Sequence, residues 1–267
     1  MGFIELEKLP IKERQVINVF NACTFLLKGK RYYFKELKNT NRCYNELVGY
    51  ELAKDFGMEA VPYDIASYDG FIGYLSEDYM KPGYSCLDDL YDKYFEHDTR
   101  NRCNLDDVSM FLRDTYPEFA ENIIHDLEDL LMFDIIIGNY DRHDGNIVID
   151  TINGRLAPVS DNEMMLEDDA MYGQFYSFRM NANDKTTLDS FLAYLDSEGL
   201  MRFARKALII SDKNMESVIQ RVEKKIGYPM IESLKKEITK KFSDYFSFLL
   251  RKINKELESR QRLVKSR

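Results

Sequence analysis

The chain has no apolar run near the ~20 residues needed to cross a bilayer. Its longest, Leu130-Leu131-Met132-Phe133 and Ile135-Ile136-Ile137, is split by Asp134. The segment Met1 to Lys12 already contains Glu5, Glu7 and Lys8 and lacks the apolar core of a secretion signal. The four cysteines, Cys23, Cys43, Cys86 and Cys103, form no C-x-x-C pair, and there are only three histidines, which disfavours a zinc centre. Free thiols in a reducing cytoplasm are expected. Basic excess is also missing. A net charge of −9 argues against direct binding of a nucleic-acid backbone. The tail is locally basic, with Lys255, Arg260, Arg262, Lys265 and Arg267, but alternating signs upstream of it read as a solvated helix face. No internal repeat or low-complexity segment is present.

What remains is an ordinary folded composition, 45% hydrophobic and 31% charged over 267 residues. That length suits one bilobal domain or two small ones. Phe25-Leu26-Leu27 and Arg31 to Leu37 flank Lys28-Gly29-Lys30, which predicts a hairpin over 25–37. Leu47, Val48, Leu52 and Phe56 recur at helical spacing before Gly57, predicting a helix over 43–56. Val61 to Ile65 and Phe71 to Leu75 read as strands joined at Asp69-Gly70. Residues 1–80 are thus expected to form a β-rich unit carrying one helix, and 81–267 a mostly helical one, an α+β organisation in two lobes. Residues 81–104 are acidic and read as a junction. Helices are predicted over 105–116, 118–133, 187–195, 200–209 and 214–225. A long one is predicted over 229–258, with Pro229 in its first turn and a stripe of Ile231, Leu234, Ile238, Phe242, Tyr245, Phe246, Leu249 and Ile253. That stripe suits a core face better than a partner surface.

Chemistry concentrates in 134–161. Asp141 and Asn146 stand four residues apart across Arg142-His143-Asp144-Gly145, and Gly145 permits a tight loop. Ile147-Val148-Ile149, a turn at Asn153-Gly154 and the return Leu156 to Val159 then deliver Asp161 back beside that loop. Asp, Asn and Gly also gather in plain solvated turns. The D-x-x-x-x-N spacing between an apolar run and a hairpin ending in Asp is, however, the layout of a phosphoryl-transfer site. There an Asp takes the hydroxyl proton, and an Asn and a second Asp hold a hard divalent ion such as Mg²⁺. Such a site also needs a strand lysine for the phosphates and a helix glutamate to pair with it. Lys35 and Glu46 fit these roles, with Lys28, Lys30 and Lys38 as rivals for the first and Glu51 for the second.

Taken together, Lys35, Asn45-Glu46, the run Gly138 to Asn146 and Ala157-Pro158-Val159-Ser160-Asp161 resemble the HipA-like protein kinases, most of all their short single-chain members. The likeness spans about residues 21 to 255. It implies a two-lobed protein-kinase-like fold and a serine/threonine-directed kinase using ATP and Mg²⁺. Asp141 would be the base, Asn146 and Asp161 the metal ligands, and Lys35 the phosphate contact. Adenine would bind along the linker Glu77-Asp78-Tyr79-Met80. The resemblance also implies a protein substrate, autophosphorylation in some members, and toxins held by an antitoxin partner. The long HipA proteins carry an extra N-terminal domain, which here would come from a separate partner protein. Two departures are visible: Asn21-Ala22-Cys23-Thr24 has no glycine for a phosphate loop, and Asn162-Glu163 follows Asp161 where kinases commonly carry glycine. They motivate a binding module with a kinase fold as a second reading. The run Asp141 to Asn146 is also similar to the catalytic loop of phosphatidylinositol kinases, in which His143 would assist transfer to a sugar hydroxyl. A lipid kinase, its basic tail facing anionic membrane, is a third.

Overall fold

A computed structural model describes residues 4–17, 22–36, 40–95, 104–166, 174–175, 186–211 and 214–265. The N-terminal part is one six-stranded sheet. Its strands are β1 (Ile4–Glu5), β2 (Lys12–Ile17), β3 (Ala22–Leu27), β4 (Lys30–Glu36), β5 (Asp64–Tyr68) and β6 (Phe71–Glu77), in the order β1-β5-β6-β4-β3-β2. Only the β1–β5 pairing is parallel. The expected hairpin is β3–β4, and its turn takes positive φ at Lys28 and Gly29. Strands β1 and β2 were not foreseen. The strand expected at 61–65 begins later, because 59–61 instead pairs with Val159 of the C-terminal part, Val61 N–H donating to the Val159 carbonyl at 2.8 Å.

Strand alternation divides the sheet's two faces. Cys23, Phe25, Phe34, Ala66 and Leu75 close with Leu6 into a small core on one face. On the other face Tyr33 and Tyr74 join the main core, and Lys35 lies at the register of Tyr74. Helix α1 (Thr40–Phe56) packs on that side. Its residues 43 to 49 are all buried, so it is wrapped on every side rather than half-solvated.

The C-terminal part is helical: α2 (Leu87–Phe95), α3 (Leu105–Thr115), α4 (Ala120–Ile137), α5 (Leu188–Tyr194), α6 (Ser197–Ser211), α7 (Met215–Ile226) and α8 (Glu232–Lys265). A three-stranded sheet, β7 (Tyr84–Cys86), β8 (Val148–Asp150) and β9 (Arg155–Leu156), lies between them, and β10 (Gln174–Phe175) pairs with β11 (Thr186–Thr187). The stretch read as an acidic junction is therefore ordered over β7 and α2. Leu87 and Tyr91 are buried, and the acids of α2 occupy its outer side and first turn.

The last helix starts three residues later than expected and runs to Lys265, leaving Pro229 ahead of it. Its stripe is buried from Leu234 to Ile253, and the Tyr245 hydroxyl donates to the Ile135 carbonyl of α4. Ile231 is the exception, 61% exposed, because it precedes the first turn. Leu249→Ala should therefore cost about 2–5 kcal/mol in denaturant unfolding and Ile231→Ala under about 0.5 kcal/mol; equal costs would refute this packing.

Candidate active site

Three pieces of chain converge between the two parts. The first is the end of α4. Gly138, at φ 67°, stops the helix and lets the chain turn out. Asn139 donates to Asp134 Oδ1 at 3.0 Å and reaches the Asp161 carbonyl at 3.4 Å. The second is Arg142, which has no exposed surface. Its guanidinium donates to both Asp134 oxygens, at 3.0 and 3.1 Å, to Asn162 Oδ1 at 2.8 Å and to the Ser160 carbonyl. The third is the 160–166 segment, where Asp161 sits at φ 60°. Arg142 thereby fixes loop, helix end and returning strand as one unit. Asp134 was visible only as the break in an apolar run, and Arg142 only as a variable position inside a motif.

Helix α1 braces the same segment from above. Asn45 Nδ2 donates to the Glu163 and Met165 carbonyls, both at 3.1 Å. Glu46 accepts the Asn162 backbone N–H at 2.5 Å. A Cβ at Gly49 would lie 2.5 Å from Asn162 Cβ, so helix and segment touch backbone to side chain. The pairing expected between Lys35 and Glu46 is not formed. Lys35 Nζ instead meets Glu163 at 3.1 Å and Asp161 at 3.8 Å. Glu46 lies too deep and is committed to Asn162. Glu163, which the sequence offered only as a departure from glycine, holds the place opposite the lysine.

The cleft these pieces enclose has a volume of about 260 Å³. Thr24, Tyr33, Lys35, Tyr74 and Ser76 line it from the sheet. Asp78, Tyr79 and Met80 line it from the linker, and Gly145, Asn146, Ser160 and Asp161 from the loop side. Tyr79 and Ser160 hydroxyls meet across it at 3.2 Å. Lys35, Asn146 and Asp161 are thus brought together, with Asp78 and Tyr79 at the linker. Glu77 is not, since its carboxylate is turned out to Lys30 at 2.8 Å. Asp141 stands exposed beside the cleft, within electrostatic reach of Asp161 and Lys35. His143 is exposed next to it, 4.0 Å from Asp144. Of the rivals, Lys28 is exposed at the hairpin turn and Lys30 is held by Glu77, while Glu51 pairs with Arg221. Lys38, Cys103 and Asn21 of the phosphate-loop segment lie outside the described residues.

The charges are set by burial. Burial works against the Lys35 ammonium, but Asp161 and Glu163 outweigh it and its pKa is raised. Asp141 keeps solvent access, but the surrounding chain partly desolvates it and raises its pKa, with nearby His143 pulling the other way. Glu46 is pushed up to about 8, chiefly by burial and then by Asp161 and Glu163. Asn146 and Asp161 offer oxygen donors, which suit a hard divalent cation, and the neighbouring Glu163 Oε2 is taken up by Lys35. Cys86, Asp88 and Asp89 also bring three donor atoms within 4.8 Å on the cleft rim. Burial raises the Cys86 thiol, however, so it keeps its proton at neutral pH.

A model of the phosphatidylinositol 3- and 4-kinase family matches residues 74–206. No match is found among curated proteins. The Helicobacter pylori proinflammatory kinase CtkA aligns with a TM-score of 0.70 at 16% identity, over 95% of this chain and 99% of that one. HipA from a Shewanella oneidensis MR-1 toxin–antitoxin complex with HipB and operator DNA aligns at 0.47 and 15% identity, over 97% of this chain and 66% of that one. The chain has a kinase-like α+β fold, sheet-rich at its N-terminal part and helical beyond. Fold and family match together support a phosphotransferase.

Glu46 gives a direct test of this electrostatics. Its unfolded pKa is near 4.5 and its folded one near 8. The stability it contributes is complete below about pH 4.5 and is lost as pH rises through about 8. Melting temperature of the metal-free protein should fall over that window. Glu46→Gln, which keeps an acceptor for Asn162, should flatten the fall; an unchanged slope would mean Glu46 is ionised in the fold.

Proposed function

We propose that the chain is a Mg²⁺-dependent, ATP-using kinase that phosphorylates serine or threonine hydroxyls of proteins. Residues 1–80 and 81–267 would act as its two lobes. One observation carries this: the strand lysine Lys35, the linker Asp78-Tyr79-Met80 and the loop residues Asn146 and Asp161 line a single cleft.

The cleft residues divide the work. The linker suits adenine, with Tyr79 held by Ser160. Lys35, kept cationic by Asp161 and Glu163, suits the phosphates. Asn146 and Asp161 would hold Mg²⁺, which offsets phosphate charge when bound. Asp141 orients the acceptor hydroxyl and takes its proton as the new O–Pγ bond forms and the bond from Pγ to the bridging oxygen breaks, releasing ADP. The raised pKa of Asp141 improves it as a proton acceptor. His143 stands beside it as a second polar contact for the acceptor. The protein substrate, and any antitoxin-like partner, belong to this reading through the HipA-like resemblance.

The family match over 74–206 favours a second reading, an inositol-lipid kinase. Incubation with γ-labelled ATP and Mg²⁺, offering both a protein mixture and phosphoinositide vesicles, separates the two. Label on protein alone supports the proposal, and label on lipid alone overturns its substrate class. Asp141→Asn should lower transfer about 10²–10⁴-fold while leaving the ATP-induced rise in melting temperature intact. ATP binding with no transfer to either acceptor would favour a binding module. Unaltered transfer in Asp141→Asn would remove that residue as the base.

A further inference from the structure

Beyond the cleft, Arg221 on α7 reaches back to the helix that braces it. Its Nε donates to Glu51 at 2.9 Å and its Nη2 to Asp55 at 2.6 Å. These two carboxylates lie one turn apart on α1, so a single planar guanidinium fixes both the height and the rotation of that helix. Glu51 is buried, and among the described residues its other close cation is Lys54, at 3.4 Å. Helix α7 is itself anchored: Glu223 accepts from the Met230 N–H at 2.8 Å and pairs with Lys235 of α8 at 2.6 Å.

Glu46 lies five residues before Glu51, roughly 7.5 Å along the axis. Any slide or turn of α1 is therefore carried to Asn45 and Glu46, which hold the backbone at Asn162, Glu163 and Met165. Asp161 and Glu163 on that backbone in turn hold Lys35. The path runs from Arg221 through Glu51 and Asp55 into the α1 backbone, through Asn45 and Glu46 to the main chain at 162–165, and through the Asp161 and Glu163 side chains to Lys35, each non-covalent step at hydrogen-bond or ion-pair distance.

We propose that Arg221 is a positioning residue for phosphoryl transfer, setting α1 so that Asp161 and Lys35 face the nucleotide together. The inference rests on the kinase reading above. An ordinary structural ion pair would add stability alone. A setting device should change turnover in protein that is still folded.

The test compares Arg221→Met, Arg221→Lys and Asp55→Asn with Lys252→Met, which breaks a comparably short pair, Lys252–Asp189 at 2.8 Å, that touches neither α1 nor α7. All are assayed well below their melting temperatures, with kcat, ATP KM and amide exchange at Asn162 and Met165 as readouts. Arg221→Met should lower kcat about tenfold or more and speed exchange at both amides. Asp55→Asn and Arg221→Lys, which spare the buried Glu51, should give smaller changes of the same kind, and Lys252→Met should affect stability only. Combining Arg221→Met with Asn45→Ala should be clearly less than additive in kcat, because both act on one path. Normal kcat and normal exchange in folded Arg221→Met overturn the proposal. If Arg221→Met does not fold, the same result in Asp55→Asn and Arg221→Lys overturns it. If wild type transfers no phosphate, the kinase reading fails by itself. The exchange data then still decide the linkage: unaltered exchange at Asn162 refutes it and faster exchange upholds it.

Discussion

Everything in the cleft depends on the buried pair Arg142–Asp134. A fully buried guanidinium is costly to desolvate, and one carboxylate rarely compensates for it. Here two further donors are taken by Ser160 and Asn162, and Asn139 takes up the near side of Asp134. The arrangement makes a charge stable in the interior and, as a consequence, ties the end of α4 to the chain that returns at Asp161. The loop between them is short and partly exposed, yet its ends cannot drift apart without stranding a charge away from water.

A second layer sits over the first. Helix α1 touches the sheet on one side and the helical part on the other, and the segment 161–166 runs directly beneath it. Over residues 43–49 the helix has no solvent face, and the polar residues that matter here have partners on both sides. Asn45 and Glu46 serve the segment below, and Glu51 and Asp55 serve α7. The weak apolar periodicity of its sequence is the expected mark of burial on all sides.

Much of this was legible beforehand where local rules dominate. The β3–β4 and β5–β6 hairpins announce themselves through Lys28-Gly29 and Asp69-Gly70, and α8 through its repeating apolar positions. The spacing from Asp141 to Asn146 and on to Asp161 drew attention to a loop and hairpin that the folded chain does bring to the cleft. Long-range choices were not legible. Strand β1 is two residues long and exists only by pairing with β5. Helix α2 was hidden by acids that sit on its outer side. The partner of Lys35 could not be chosen from sequence, because Glu46 and Glu163 are both plausible by type and depth alone separates them. Arg142 gave no signal, since its importance comes from three partners, Asp134, Ser160 and Asn162, that stand far apart in the sequence.

The left-handed backbone at Asp161 has an evolutionary corollary. Among residues with a side chain, asparagine shares with aspartate the ability to occupy that conformation without strain. Aspartate and asparagine codons differ by one base. A single transition there would remove a carboxylate from the cleft while leaving the turn, the Arg142 contacts and the fold intact. On the kinase reading, a one-base step away from phosphoryl transfer therefore leads to a folded cleft that has lost a carboxylate, not to an unfolded chain.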